Sequence, residues 1–250
     1  MIAAFKRGVR RAIRCLGYEV VPSAHVESHA FIRHLDELFR RLDIQCVLDV
    51  GANRGQYRQL LRERVGYQGL IVSFEPVAQN VAALRAQAQT DPRWVIRGHA
   101  LGATDASMEI NVMKADLLSS FLSPDPAMVP MFRPVNIVER TERVEVRALD
   151  SVIDDLGGPQ ALRTVYLKLD TQGFDLEVIR GATATLPRVR ALQTEISMQP
   201  LYQNAPSYRE TLAELTARGF AVTAMSPIVR DDRMRVVEFD CVMVNGAPAG

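Results

Sequence analysis

Residues 45–55 read QCVLDVGANRG, a short apolar run that ends in a glycine-rich turn. Apolar runs of this length, bounded by glycine, are typical of strands buried in a parallel sheet. Gly51 and Gly55 let the backbone turn sharply towards a helix, and they let a ligand approach the main chain where a side chain would block it. The stretch therefore predicts a strand, a binding loop and a helix in that order.

The same alternation of strand and helix extends to both sides of this stretch. Apolar residues at helical spacing predict helices at 28–42 and 55–65. The remaining patterns predict strands at 69–74, 94–97, 164–169 and 191–196, helices at 77–89, 175–186 and 207–218, and a final strand pair at 221–225 and 238–244. This rhythm predicts an α/β fold with a mostly parallel central sheet, helices on both faces and an antiparallel terminal strand.

The middle of the chain follows a different pattern. Residues 107–114 and 142–148 alternate polar and apolar side chains, as half-exposed strands do. Between these two strands, residues 116–141 contain four prolines, which predicts a long loop. Long loops in compact domains are typical of lids and binding loops.

The composition is that of a globular protein with one sizeable domain. The chain has 250 residues, of which 48% are hydrophobic and 24% charged, and its net charge is +1. A net charge this close to zero does not indicate nucleic acid as a partner. Three widely spaced cysteines without a CxxC pair indicate neither a disulfide framework nor a zinc site. We expect a helical N-terminal extension at 1–43 and the main domain at 44–250.

The first residues read as a short basic amphipathic helix. Residues 1–16 place apolar side chains on one side, with Lys6 and four arginines around them. Packing on the main domain, contact with an anionic membrane surface and a homodimer surface all stay open for this segment. No apolar run approaches the roughly 20 residues that span a bilayer, and no signal-peptide pattern is present. We therefore expect a cytoplasmic protein, with peripheral contact at the inner membrane surface as a further use of the helix.

Acidic residues stand at the predicted ends of the first two strands. The first loop lacks the G-x-G-x-x-G spacing of dinucleotide-binding proteins, and Asp49 comes just before its glycines. A carboxylate at this place repels a pyrophosphate and attracts a sulfonium and an ammonium group, which favours S-adenosylmethionine (SAM) over a dinucleotide. Glu75 follows Gly55 by 20 residues, where an acidic side chain accepts hydrogen bonds from a ribose diol. A tight turn without ligand, and an acid at a helix N-terminus, are the simpler interpretations.

The third strand end, at residues 99–102, is expected beside an adenine ring. His99 is the first of these residues. A lone histidine at such a place is more often a local hydrogen-bonding residue than a catalyst. We therefore assign no catalytic role to His99.

These residues resemble the FkbM-type methyltransferases over about residues 46–196. The motifs that carry the resemblance are DVGANRG at 49–55, FEP at 74–76, ALG at 100–102, SS at 119–120, KLDTQGFD at 168–175 and Glu195. Many methyltransferases share the first motif, whereas the K-x-D-x-x-G-x-D element is much more specific. At Gln172 many relatives carry glutamate, so no role as base or metal ligand is assigned there.

The resemblance implies a Rossmann-like class I methyltransferase fold with SAM as cofactor. It also implies O-methylation of a sugar hydroxyl in a glycolipid, a polysaccharide or a secondary metabolite. By motif match, the methionine part of SAM would be held by Asp49, Gly51, Asn53 and Gly55, the ribose by Glu75, and the adenine would lie near Ala100 and Leu101. No motif identifies which acceptor is methylated.

Candidates for the chemistry lie at the next two predicted strand ends. Asp170 ends one strand, with Lys168 two residues earlier on the same face, and Glu195 ends the next. Methyl transfer to oxygen requires a group that accepts the proton. We expect Asp170 to act as the base or to orient the hydroxyl, Glu195 to be a second hydrogen-bonding carboxylate, and Lys168 to orient or neutralise them. A structural ion pair between Lys168 and Asp170 is the alternative.

No metal is assigned to this site. Asp170, Asp175 and Glu195 offer the oxygen ligands that Mg²⁺ prefers, but their spacing in the sequence does not demand a metal. Asp175 is equally well explained as a helix cap. Ser119 and Ser120 either border the acceptor pocket or are turn residues.

Two other functions remain open on the same fold class. One is a nicotinamide-dependent oxidoreductase, against which the missing third glycine and the position of Asp49 count. The other is a SAM-binding protein without catalysis, against which the acidic residues at several strand ends count. Fold alone does not decide among them.

Overall fold

The computed structural model describes residue 21 and residues 26–156 and 162–246. The basic helix predicted at residues 1–16 lies outside the described residues, so its role stays a prediction. Among the residues that are described, no helix is long and apolar enough to cross a membrane.

Strands and α-helices alternate along the described part of the chain. In order, they are α1 (Val26–Arg41), β1 (Cys46–Val50), α2 (Gln56–Leu60), β2 (Leu70–Phe74), α3 (Ala78–Ala88), β3 (Trp94–Arg97), β4 (Ala100–Leu101), β5 (Ala106–Met113), β6 (Val138–Arg147), α4 (Leu149–Val152), β7 (Val165–Leu169), α5 (Asp175–Arg180), β8 (Val189–Ser197), α6 (Tyr208–Ala217), β9 (Phe220–Arg230) and β10 (Val236–Asn245). A π-helical turn, Leu61–Val65, continues α2. The helix predicted at 55–65 is therefore present, with a widened second half.

Seven strands form the central sheet in the order β3-β2-β1-β7-β8-β10-β9. Five of these strands, β3, β2, β1, β7 and β8, are parallel, and β10 runs antiparallel to both β8 and β9. The predicted Rossmann-like α/β fold with an antiparallel terminal strand is confirmed. The strand order reverses between β1 and β7, and in open α/β sheets ligands bind beyond the carboxyl ends of the strands at such a point.

Helices cover both faces of this sheet, because successive side chains of a buried strand point to opposite faces. On β1, Leu48 belongs to a core that includes Leu215 of α6. Its neighbour Val47 belongs to the core on the other face, together with Leu35 of α1. Although α1 falls within the predicted extension at 1–43, its apolar side is part of this second core.

The helix predicted at 175–186 is shorter than expected. The helix α5 ends at Arg180, and a separate 3-10 turn covers Leu186–Arg188. Gly181 follows α5, and a Cβ atom at this position would lie 2.0 Å from the carbonyl oxygen of Gly102. Only glycine lets the end of α5 pass this close to the end of β4, and the sequence pattern carries no sign of that approach.

The terminal strand pair is longer than the predicted 221–225 and 238–244. The strands β9 and β10 span 11 and 10 residues and pair as one antiparallel hairpin. Most side chains of β9 are exposed because it is the edge strand, so its apolar pattern is weak. Pro227 lies within β9, where an edge strand tolerates the missing N–H donor. These two features explain why the sequence underestimates β9.

A smaller sheet and a long segment lie beside the ends of the central strands. In this sheet β4 is parallel to β6, and β6 is antiparallel to β5. The strand β6 begins at Val138, earlier than the predicted 142–148. Between β5 and β6, residues 114–137 form what we call the cover segment, in which Ser120 pairs with Asn111 of β5. The predicted loop is thus an ordered segment with two short 3-10 turns.

The approach of β1 to β7 gives a test of this architecture. Gly51 has φ 81°, and a Cβ atom there would lie 1.9 Å from the carbonyl oxygen of Asp170. Gly66 has almost the same φ, 80°, but open space around its Cβ position. We expect Gly51→Ala to lower the free energy of unfolding by at least about 3 kcal/mol, because a steric clash adds to the backbone strain, and Gly66→Ala by only about 1–2 kcal/mol.

Urea unfolding of both variants measures the two losses. Equal losses would contradict the close approach of the two strand ends.

Candidate active site

A cavity of about 370 Å³ opens at the carboxyl ends of β1, β2, β7 and β8, beneath the cover segment. A cavity of this size suits a small-molecule ligand. Of the residues that the sequence predicts for the site, those that line the cavity are Gly51, Asn53, Glu75, Ala100, Leu101, Lys168, Asp170 and Glu195. The structure thus brings these eight residues together, while Asp49 and Gly55 lie behind the cavity wall.

Glu75 is buried at the end of β2, where the sequence predicts a ribose-binding acid. Its Oε2 accepts a hydrogen bond of 2.8 Å from the N–H of Asn53, and its Oε1 accepts one of 2.9 Å from the N–H of Val77. Asn53 reaches this position with a left-handed backbone, φ 46°. Burial raises the pKa of Glu75 to about 7, although these hydrogen bonds favour the ionised form. Each carboxylate oxygen can accept a further hydrogen bond, so Glu75 can still receive one from a ligand.

Asp49 lies below the cavity and is fully buried. Its Oδ2 accepts a hydrogen bond of 2.9 Å from the Ser73 hydroxyl, which in turn accepts one of 3.0 Å from the indole N–H of Trp94. The Nζ atom of Lys168 lies 3.6 Å from Oδ1. Burial raises the pKa of Asp49, and the nearby Lys168 charge opposes the rise. Asp49 is not among the residues that line the cavity, and its predicted contact with the methionine part of SAM stays a prediction.

The two glycines of the first loop have a packing role that the sequence does not reveal. A Cβ atom at Gly55 would lie 2.9 Å from the ring of Trp94, and the residue has φ 87°. A Cβ atom at Gly51 would overlap the main chain of Asp170. The sequence explains both glycines by ligand approach, but contacts within the protein already require them.

At the acceptor end, Lys168 is buried between two carboxylates. Its Nζ atom lies 2.9 Å from Oδ2 of Asp170 and stands over the ring of Tyr57 at 5.3 Å from the ring centre. Burial alone would lower the pKa of Lys168, but the charges of Asp170 and Asp49 outweigh it and raise the pKa. Lys168 is therefore a permanent cation in the wall of the cavity.

Asp170 and Glu195 differ in their preferred protonation. Burial tends to raise the pKa of Asp170, yet the Lys168 charge and hydrogen bonds hold it below its usual range. Burial, followed by the charges of Asp170, Glu238 and Asp240, holds the pKa of Glu195 well above its usual range. Two carboxyl groups whose environments push their pKa values apart are the usual arrangement of an acid and a base.

A second polar cluster lies in the cavity and was not assigned from the sequence. Gln193 of β8 accepts hydrogen bonds from the hydroxyls of Tyr57, at 2.8 Å, and Tyr166, at 3.0 Å. The amide nitrogen of Gln193 donates to Oδ1 of Asp240 at 2.6 Å. Burial raises the pKa of Asp240 to about 6. The available signal was the presence of Gln193 and Asp240 inside otherwise apolar runs.

The cover segment reaches the cavity through its serines. Ser119 and Ser120 both line the cavity, and the Ser120 hydroxyl donates to the main-chain oxygen of Gln172 at 2.8 Å. His99 is not among the lining residues, and its ring packs against Phe74 with the ring centres 5.5 Å apart. This placement agrees with the absence of a catalytic assignment for His99.

Asp175 has both carboxylate oxygens occupied by protein groups. Oδ1 accepts hydrogen bonds from the N–H and the hydroxyl of Thr171, and Oδ2 accepts one of 2.6 Å from the Thr194 hydroxyl. This arrangement ties the turn after β7 to β8, so Asp175 has a structural role. Within residues 26–156 and 162–246, no group of three or more His, Cys, Asp or Glu side chains is arranged to hold a metal ion.

Residues 49–222 match the family model described as the methyltransferase FkbM domain. A search of curated proteins found no match. Among solved structures, the fold is similar to the FkbM methyltransferase of Methylobacillus flagellatus KT, with 15% identity and a TM-score of 0.49. The similarity covers 80% of this chain and 44% of that one, so this chain spans less than half the length of that relative.

Two further methyltransferase-like structures are similar in fold. Fibrillarin of Aeropyrum pernix, solved with bound SAM, has 11% identity and a TM-score of 0.45, over 80% of this chain and 66% of that one. The magnesium protoporphyrin IX methyltransferase of Synechocystis PCC 6803, also with bound SAM, has 12% identity and a TM-score of 0.44, over 95% of this chain and 91% of that one.

The buried carboxyl groups predict how stability changes with pH. The pKa values of Glu75 and Glu238 are raised to about 7 by burial, so the folded state binds protons that the unfolded state has already lost. The free energy of unfolding should therefore fall as the pH rises from about 4.5, the ordinary pKa of a glutamate, to about 7, by up to about 1.4 kcal/mol per pH unit for each such group, and the fall should end by about pH 8.

Urea unfolding at several pH values measures this slope. Glu238→Gln should flatten it, whereas Glu139→Gln, at an exposed position, should leave it unchanged. A stability that rises with pH over this window would contradict the assigned shifts.

Proposed function

Because the chain belongs to the FkbM methyltransferase family, whose members take the methyl group from SAM, we propose that it methylates a hydroxyl oxygen of a sugar. The observation that carries the proposal is the pair Asp170 and Glu195, which share one cavity wall with Lys168 beside the predicted cofactor loops. A hydroxyl nucleophile must lose its proton as the new bond forms, and we propose that the Asp170 carboxylate accepts it.

The charge of the cavity favours SAM. The acidic and basic side chains that line it are those of Glu75, Asp116, Lys168, Asp170, Glu195 and Asp240. This excess of acids favours a ligand with a sulfonium and an ammonium group over an anionic dinucleotide. We propose that Glu75 holds the ribose, that Ala100 and Leu101 form an apolar wall for the adenine, and that the loop at 51–55 lies beside the methionine part of SAM.

When bound, SAM supplies a methyl group on a positively charged sulfur, which an oxygen nucleophile can take by in-line displacement. The protein contributes position and a proton acceptor. The carboxylate of Asp170 is ionised because Lys168 neutralises it, so it can accept the hydroxyl proton as the carbon–oxygen bond forms and the carbon–sulfur bond breaks. Burial and the neighbouring acids raise the pKa of Glu195, which favours its protonated form, and a protonated carboxyl can donate a hydrogen bond to an acceptor oxygen.

The sugar acceptor is supported by the polar groups that line the cavity. Asp170, Glu195 and Asp240 contribute carboxyl groups, and Phe121 of the cover segment contributes an aromatic ring. Neighbouring hydroxyls of a sugar pair well with such groups, and an apolar sugar face can stack on an aromatic ring. We propose a glycan or a glycolipid as the acceptor on this ground.

Calorimetry tests the cofactor end. SAM should bind to the purified protein and NAD⁺ should not, because the acidic cavity repels a pyrophosphate. Glu75→Gln should weaken SAM binding by about 10-fold or more, since the ribose loses a charged hydrogen-bond acceptor. Glu139→Gln, the same substitution at an exposed position, is the matched control. Binding of NAD⁺ in preference to SAM would overturn the proposed cofactor end.

Transfer of a labelled methyl group tests the acceptor end. The wild type should label sugars in glycolipid and polysaccharide fractions, and the product should resist alkaline hydrolysis, as an ether does and an ester does not. Asp170→Asn should keep the SAM affinity within about threefold and lose at least about 100-fold in rate, because the proton acceptor is gone. Equal rates for Asp170→Asn and wild type would remove Asp170 from the mechanism.

A further inference from the structure

The side chain of Gln172 lies between the two carboxyl groups of the acceptor end. Its Nε2 atom donates to Oδ1 of Asp170 at 2.9 Å and to Oε2 of Glu195 at 2.7 Å. An amide nitrogen carries two hydrogens, so it can serve both carboxyl groups at once without adding charge. Gln172 therefore links Asp170, at the end of β7, with Glu195 on β8.

The orientation of this amide is fixed from the opposite side. The Tyr202 hydroxyl lies 2.9 Å from Oε1 of Gln172 and 2.7 Å from the carbonyl oxygen of Leu118, and its single hydrogen is shared between these two acceptors. The main chain of Gln172 has a left-handed conformation, φ 54°, and its carbonyl oxygen accepts a hydrogen bond from Ser120. A hydroxyl donor at Oε1 leaves Nε2 directed at the carboxyl groups. Gln172 is buried, at 8% exposure, so water does not replace these contacts freely.

We propose that Gln172 is a positioning residue for methyl transfer: its side-chain amide clamps the carboxyl groups of Asp170 and Glu195 side by side, with Tyr202 holding the amide in place. This role rests on the proposed methyl transfer at the same site. Because Ser120 and Leu118 belong to the cover segment, the clamp also links the carboxyl pair to the wall above the cavity.

The surrounding charges explain why an amide stands at this position. Six ionisable groups face the pair from the elements around it. They are Asp49 on β1, Lys168 on β7, Asp175 on α5, Glu238 and Asp240 on β10, and Tyr202 in the segment after β8. Lys168 is the one cation among them, and it already pairs with Asp170. A further carboxylate would add repulsion, and a protonated carboxyl offers only one O–H, so glutamate at 172 cannot donate to both partners.

The clamp predicts how the two carboxyl groups titrate. A hydrogen bond donated by the amide favours the ionised form of a carboxyl group, and the pKa of Asp170 is lowered in part by Gln172. Loss of the amide, or its replacement by a third acid, should raise the apparent pKa of the coupled pair. A side chain that only fills space would leave this titration unchanged.

Carbon-13 NMR of labelled aspartate and glutamate carboxyl groups measures the titration in the full chain. The Asp170 and Glu195 signals are identified by their loss in Asp170→Asn and Glu195→Gln. Gln172→Glu should raise the apparent pKa of the pair by at least about one unit, and Gln172→Met should raise it in the same direction. Gln89→Glu, with the same change in charge at an exposed helix end, should shift it by less than about 0.3 units.

Tyr202→Phe keeps the clamp testable if Gln172→Glu fails to fold. It should raise the pKa of the pair while the SAM affinity, measured by calorimetry, stays within about threefold of wild type. A titration that is unchanged in Gln172→Met and Tyr202→Phe overturns the clamp, even if SAM binds. Absence of SAM binding to the wild type overturns the proposed function instead, so the two failures are distinguishable.

Discussion

A single ammonium group buried among carboxylates determines the electrostatics of this protein. Lys168 lies 2.9 Å from Asp170 and 3.6 Å from Asp49, at the point where the strand order of the central sheet reverses. Removing one member of such a buried pair leaves an uncompensated charge, which typically costs about 3–5 kcal/mol. The Lys168 charge lowers the pKa of Asp170, whereas burial and the charge of Asp170 raise the pKa of Glu195.

The backbone makes this arrangement possible by bringing strand ends unusually close together. At Gly51 the turn after β1 approaches the main chain of Asp170, and at Gly181 the end of α5 approaches Gly102. The first approach joins the ends of β1 and β7 within the central sheet, and the second joins α5 to the end of β4 in the smaller sheet. The polar chain from Trp94 through Ser73 to Asp49 then extends below the cavity, across three neighbouring strands. The site is thus a property of the whole sheet edge and not of one loop.

Several features were predictable because they depend on neighbours along the chain. Apolar runs bounded by glycine identified β1 and β2, and the position of Glu75 at the end of β2 followed from the same pattern. The limits of α5 and β9 were not predictable, because they depend on a backbone approach at Gly181 and on the edge position of β9. The hydrogen bond between Gln193 and Asp240 joins residues 47 positions apart, which no local pattern can indicate.

The sequence by itself determined the fold class, the family resemblance and the presence of acidic residues at successive strand ends. It did so because periodicity and motif spacing are local properties of a chain. Only the tertiary structure decided that Asp49 lies beneath the cavity, that the loop glycines are required by contacts within the protein, and that Gln172 bridges Asp170 and Glu195. The physical reason is that burial, charge neutralisation and hydrogen-bond partners are set by distances in space between residues far apart in sequence.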